Sequence, residues 1–292
     1  MSARRTEGTV IRLRTYTAAT DFLHDVRAYL ERQEAVTGLM FGLALRLAEN
    51  PLAYGSPPYL AAVADEQGPV LAALMTPPHN LILHSEEENP AEALELLARD
   101  LMERRSPVAG TVGPVRLAEA FAGLWARLTG NGSHPSMNQR IYKLTQMIAP
   151  RYSPGSLRPA VADDTGLVVR WMDAFQQEAA PNSPRPSPDM THARIDERNV
   201  FLWDDGGPVS MAVKTRPTRH GISVSWVYTP PELRRRGYAT SCVAALSQQL
   251  LDAGFEYCTL FTDRSNPTSN AIYQQIGYRP VCDYQEIKFI AG

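Results

Sequence analysis

The sequence predicts a mixed α/β (α+β) protein of two like domains, each a mixed, mostly antiparallel sheet flanked by helices. Three observations carry this. Strand-like and helix-like patterns alternate along all 292 residues. The two halves repeat one order of elements. A proline-bearing stretch, Ala149-Pro150-Arg151-Tyr152-Ser153-Pro154-Gly155, falls near the midpoint. We therefore expect a first domain over 1–147, a linker over 148–156 and a second domain over 157–292.

In the first half a helical stretch runs from Thr20 to Glu49. Tyr59 to Val70 then reads as strand, Gly68-Pro69 turn, strand. Pro77-Pro78 breaks the chain before a third strand, Asn80 to His84. Helices follow over Pro90 to Arg104 and Leu117 to Leu128, and Asn138 to Leu144 alternates like a closing strand. The second half repeats the order. Helical patterns span Thr165 to Ala179 and Pro188 to Arg198, separated by the stiff Pro181 to Pro188 stretch. Val200 to Val209 is strand, Gly207-Pro208 turn, strand, and Ile222 to Tyr228 follows beyond Pro217. A helix from Thr240 to Ala253, a strand from Glu256 to Asp263 and a helix opened by Asn266-Pro267 complete it. A shared order of this kind points to duplication.

Composition narrows the function. Lys+Arg is 29 and Asp+Glu is 31, a net charge of -2, which argues against a general nucleic-acid binder. No apolar run reaches the roughly 18–20 residues of a membrane span. Met1 to Gly8 leads into no apolar signal core, so a cytoplasmic location is expected. Cys242, Cys258 and Cys282 lack metal-ligand spacing; we expect reduced thiols and no metal.

Chemistry gathers in the second half. Ile222, Val224 and Trp226 alternate with Ser223 and Ser225, so we expect one strongly apolar strand face. Thr229-Pro230-Pro231 ends the strand. Leu233-Arg234-Arg235-Arg236-Gly237-Tyr238-Ala239 leads into the Thr240 helix, whose Val243, Leu246 and Leu250 share a face. A helix start with a glycine turn offers free N–H groups and a positive dipole end, hence an anion site. Gly237 permits positive φ, and the small Ala239 allows close approach. The arginines add fork-shaped contacts to phosphate. No Gly-x-x-x-x-Gly-Lys-Ser/Thr loop is present.

Arg234 to Ala239, followed by Asn266, Asn270, Tyr273 and Gly277-Tyr278, resembles the two signature blocks of the GNAT superfamily of N-acetyltransferases. The close resemblance covers Val200 to Phe289. It implies a tandem protein with a degenerate first domain and an intact second one. It implies acetyl-CoA as acyl donor, held by Val227, Tyr228 and Thr229 at the fourth strand, by Arg234, Arg235, Arg236, Gly237, Tyr238, Ala239 and Thr240 at the pyrophosphate, and by Asn266 at the cofactor arm. It implies Tyr273 as general acid to the departing thiolate. Transfer to the primary amine of a small molecule in a ternary complex follows. A non-catalytic acyl-CoA sensor and a protein or peptide N-acetyltransferase are the alternatives.

Two departures stand out. The fourth strand carries no carboxylate where many members have a Glu, which leaves Glu286, Asp283 and His220 as stand-in bases, with a water relay or an acceptor of low pKa as equal alternatives. In the first half Glu86-Glu87-Glu88 replaces the arginine turn. Carboxylates there satisfy the helix dipole and repel pyrophosphate, so we expect no acetyl-CoA there. Trp125 and Phe121 stand on the helix where a Tyr would be needed and read as core.

Overall fold

The computed structural model describes residues 10–179, 181 and 188–290. The Pro181 to Pro188 stretch falls almost wholly outside them. Two compact units form. Of the described residues, 10–140 with 282–290 form one, and those between 141 and 281 the other.

In the first unit, β1 (Arg12–Tyr16) is followed by α1 (Ala19–Glu31) and α2 (Glu34–Glu49). The expected Thr20 to Glu49 helix is thus two helices, parted at Arg32-Gln33. Thr37 Oγ1 donates back to the Leu30 carbonyl at 2.8 Å across this break. A meander follows, β2 (Tyr59–Asp65), β3 (Gly68–Met75) and β4 (Leu81–His84), then α3 (Ala91–Glu103), β5 (Gly110–Pro114) and α4 (Val115–Thr129). Neighbours run antiparallel, except that β4 and β5 are parallel. Ala61, Val63, Leu71 and Ala73 pack with Leu94, Leu97 and Phe121 of α3 and α4. Phe121 and Trp125 are core, as expected, stacked 5.8 Å apart.

The second unit repeats this order with β7 (Ser156–Pro159), α5 (Thr165–Ala179), α6 (Pro188–Asp196), β8 (Val200–Asp204), β9 (Pro208–Thr215), β10 (Gly221–Tyr228), α7 (Tyr238–Asp252), β11 (Tyr257–Asp263) and α8 (Pro267–Gln275). Its parallel pair is β10 and β11. One face of the sheet packs Val224 and Leu260 against Cys242 and Leu246 of α7, and Tyr278 from the turn after α8 joins them. The other packs Leu202, Met211 and Tyr228 against Val168 and Met172 of α5.

The domain bounds differ from the expectation at both ends. The last strand, β12 (Arg279–Ile290), gives residues 282–290 to the first unit, where Tyr284 to Lys288 pair antiparallel with Pro114 to Gly110 of β5. Tyr284 is 1% exposed there and donates to the Val36 carbonyl at 3.0 Å. Conversely β6 (Gly132–Leu144) gives its last four residues to the second unit, beside β11. Tyr142 and Leu144 join the second unit's core. The Pro150 stretch is no free linker either: Trp203 Nε1 donates to the Pro154 carbonyl at 2.9 Å, and the Tyr152 and Trp203 rings stack. Chain order alone does not say which strand closes which sheet.

Candidate functional site

The strand β10 does not keep its alternation. Its pairing with β9 slips between Ser225 and Tyr228, and Trp226 has φ +53°. A bulky residue in the left-handed region costs on the order of 1–3 kcal/mol and calls for a functional reason. The bulge corrects the expected apolar face: Ile222 and Val224 point to the α7 side, whereas Trp226 packs with Phe175 of α5 at 5.1 Å between ring centroids. Period 2 fails because one residue has the opposite backbone hand.

The bulge also opens the sheet. The ladder between β10 and β11 covers only Gly221 to Ser223 against Tyr257 to Thr259. Val224 to Tyr228 lie beyond it on β10, and Leu260 to Asp263 on β11. In the first unit β4 and β5 pair at Leu81–Thr111 and Ile82–Val112, and β4 meets β3 without a slip. A Cβ on Gly113 would come within 2.9 Å of the Leu83 carbonyl oxygen, so those strands stay closed.

Beyond Tyr228 comes the arginine turn. Ser210 Oγ meets the Tyr228 carbonyl at 3.1 Å and the Thr229 hydroxyl at 2.9 Å, fixing the strand's end. Arg234 Nε donates to the Thr229 carbonyl at 2.9 Å, and its Nη2 bridges both Glu178 oxygens. Arg235 is exposed, at φ +63°, and bonds nothing among the described residues. Arg236 Nη2 donates to the Glu232 carbonyl at 3.4 Å, and its guanidinium also meets the Tyr238 hydroxyl. Gly237, at φ +80°, is the N-cap of α7 and gives it no side-chain cap. Tyr238, at the first helical position rather than Thr240, anchors its hydroxyl on Asp205 at 2.7 Å.

From Arg235 to Thr240 no backbone N–H finds a partner among the described residues; Ser241 is the first, donating to the Gly237 carbonyl. Orphan donors at a helix start, with two left-handed residues just before, form a concave anion seat. The donor set fits a pyrophosphate. Ala239 and Thr240 are part-exposed there, whereas the Tyr238 ring is buried.

On α8 the two asparagines are occupied. Asn266 is the N-cap, accepting from the Ser269 N–H at 3.1 Å. Asn270 Nδ2 donates to the Asp263 and Asn266 carbonyls, and its Oδ1 accepts from the Tyr142 hydroxyl at 3.0 Å. Tyr273 is 8% exposed, edge-on to Tyr278 at 6.0 Å, in the cluster that Val227 and Leu233 flank. Nothing described hydrogen-bonds its hydroxyl. Burial pushes that phenol up to about 12.

Two of the three stand-in bases, Asp283 and Glu286, belong to the first unit. Asp283 is paired with Arg140 at 2.6 and 2.9 Å in the first unit. Glu286, also there, meets Ser136 and Lys288. His220 precedes β10 at the end opposite the bulge, roughly 20 Å from Val227 along the strand. Glu86, of the glutamate triplet, is held by Arg32 at 2.9 Å. Asp189, His192, Asp196 and Glu197 are exposed. All three cysteines are free thiols; Cys242 and Cys258 are fully buried. Among the described residues no group of His, Cys, Asp or Glu could hold a metal, and no helix is long and apolar enough to cross a membrane.

Sequence reasoning missed Phe175, Ser153 and Tyr142. Their roles come from contacts over 51, 83 and 128 residues, which no local pattern encodes.

A family model for FR47-like proteins matches residues 207–286. No curated protein matches the chain. Among solved structures, a Drosophila protein shares 14% identity over 97% of this chain and 99% of its own, with a TM-score of 0.68. A GCN5-related N-acetyltransferase from Sphaerobacter thermophilus shares 16% over 97% and 96%, with a TM-score of 0.62. A tandem GNAT protein from the clavulanic acid biosynthesis pathway shares 12% over 97% and 99%, with a TM-score of 0.57.

Proposed function

On the premise that this chain is a tandem protein of the GNAT fold, we propose that its second unit transfers an acetyl group from acetyl-CoA to the primary amine of a small molecule. One observation carries the reading. The unpartnered N–H groups from Arg235 to Thr240 stand at the start of α7, just past the point where β10 leaves β11. An anion seat and an open parallel pair, in that order, suit a cofactor with a pyrophosphate at one end and an amide-bearing arm at the other.

In this reading the N–H groups of Arg235 to Thr240, with the Arg235 and Arg236 guanidiniums, bind the pyrophosphate. Arg234 braces the turn from behind through Glu178. The backbone of Val227 and Tyr228, unladdered toward β11, binds the arm, and the Val227 N–H polarises the thioester carbonyl. Asn266 caps α8 and so fixes Tyr273, whose hydroxyl hands its proton to the departing thiolate. With the phenol near 12 and a free thiol near 8.5 in water, this transfer is uphill by roughly 5 kcal/mol. The same burial raises the thiol too, which narrows the gap. The acceptor side is the face of β10 where Trp226, Phe175 and Trp171 lie, with the Arg194 guanidinium 5.2 Å from the Trp226 ring. With no carboxylate on β10, a water relay carries the amine proton to solvent; an acceptor amine of low pKa would bind already neutral and need no base before attack.

The first unit has closed strands and a glutamate triplet, which supports one active site per chain. The test is a melting series with acetyl-CoA, then CoA release across a panel of amines. We expect a rise in Tm, as mass action requires, and turnover with at least one small amine. No rise at saturating acetyl-CoA sinks the proposal. Binding without turnover on any amine would point to the sensor reading, and turnover on peptides alone to the peptide reading.

A further inference from the structure

The proline-bearing stretch before β7, within the second unit, touches the arginine turn. Ser153 Oγ donates to the Arg236 carbonyl at 2.7 Å. The Ser153 N–H donates to Ser241 Oγ at 2.9 Å, and Ser241 is fully buried in the first turn of α7. A Cβ on Gly237 would lie 2.6 Å from Ser153 Oγ, so the hydroxyl sits directly against that glycine. Trp203 holds the neighbouring Pro154 carbonyl, so the segment is itself anchored.

The orientation matters. A trans peptide is planar, and its C=O and N–H point in opposite directions. Fixing the Arg236 carbonyl on Ser153 therefore turns the Gly237 N–H to the opposite side. That is the side available to an anion. The glycine could otherwise rotate this peptide at little cost.

We propose that Ser153 is a positioning residue for the pyrophosphate seat: it locks the Arg236–Gly237 peptide so that its N–H faces the ligand. The inference rests on the reading of that turn as the acetyl-CoA phosphate site. Ser153 touches no ligand. It acts through Gly237.

The test is binding of CoA and of pantetheine, which lacks the pyrophosphate, to the full chain and to Ser153→Ala. We expect CoA affinity to fall about tenfold, or 1.4 kcal/mol at that conversion, with pantetheine affinity unchanged. Ser241→Ala, which removes the acceptor for the Ser153 N–H, should show the same split more weakly. Equal CoA affinity in Ser153→Ala and the unaltered chain overturns the inference, as does an equal loss for both ligands, which would mark a merely structural role. If the unaltered chain binds no CoA, the reading of the site itself falls. If it binds CoA and the substitution is silent, only the role of Ser153 falls.

Discussion

Arg234 meets the Glu178 carboxylate with one nitrogen, at 2.6 and 2.9 Å, while its Nε holds the Thr229 carbonyl. The first arginine of the triplet is thus spent on the protein itself. The second, Arg235, is exposed and bonds nothing described.

This division predicts unequal effects. Arg235→Glu removes a charge-assisted contact and adds repulsion, so CoA binding should weaken by roughly 2–3 kcal/mol, about 30- to 150-fold. Glu178→Gln disturbs an exposed pair, worth under about 1 kcal/mol, and should change CoA affinity less than about fivefold. Calorimetric titration of both variants checks the order. A larger effect at Glu178 would contradict it.

Tyr273→Phe removes a hydroxyl that no described group bonds. Its Tm and CoA affinity should match the unaltered chain. Turnover should fall by roughly 10²-fold or more, the usual worth of a positioned acid. Steady-state rates beside a melting curve read both; unchanged turnover would remove the proton-donor role.

Alkaline stability follows from the same burial. Tyr273 is raised from 10 to about 12, and Cys258 from 9 to about 12. A raised pKa means that the neutral form is favoured by folding. Its stability is full below the unfolded value and is lost as pH rises to the folded one. For Tyr273 that window is pH 10 to 12 and the loss on the order of 3 kcal/mol. Urea midpoints should fall above about pH 9. They should fall less steeply between 10 and 12 in Tyr273→Phe.

Thiol reagents should separate the cysteines. Cys242 and Cys258 are fully buried and their thiols are pushed up to about 12, whereas Cys282 is part-exposed. Since the thiolate reacts, one thiol should be modified in the native protein and three in urea. Peptide mapping identifies the first, which we expect to be Cys282.

The first unit should depend on the end of the chain. Deleting 282–292 removes Tyr284 and Ile287, both buried, and the strand that pairs with β5. Tyr284→Ala alone should cost roughly 3–5 kcal/mol. Amide exchange across β5 and α4 reads the loss.

The sequence by itself determined most of the helices and the meander strands, though not β1, β7 or the break at Arg32-Gln33, and it singled out the turn from Arg234 to Ala239. Those depend on near neighbours: period 2 or 3.6, proline stops, a glycine before a helix and an Asn-Pro start are all local. It also marked Glu86 to Glu88 as a poor phosphate seat, since charge at a helix start is local too. Tertiary structure decided the rest. Trp226 faces α5 because a left-handed residue reverses its side, and the β10–β11 ladder stops at Ser223. Asp283 and Glu286 went to the first unit because pairing with β5 is chosen by edges that lie far apart in sequence. Tyr273 joined the core that Val227 and Leu233 flank, and Ser153 came to rest on Gly237, through packing across long loops. Local propensity cannot encode such contacts, because what fixes them is the burial of surfaces that meet only once the chain has folded.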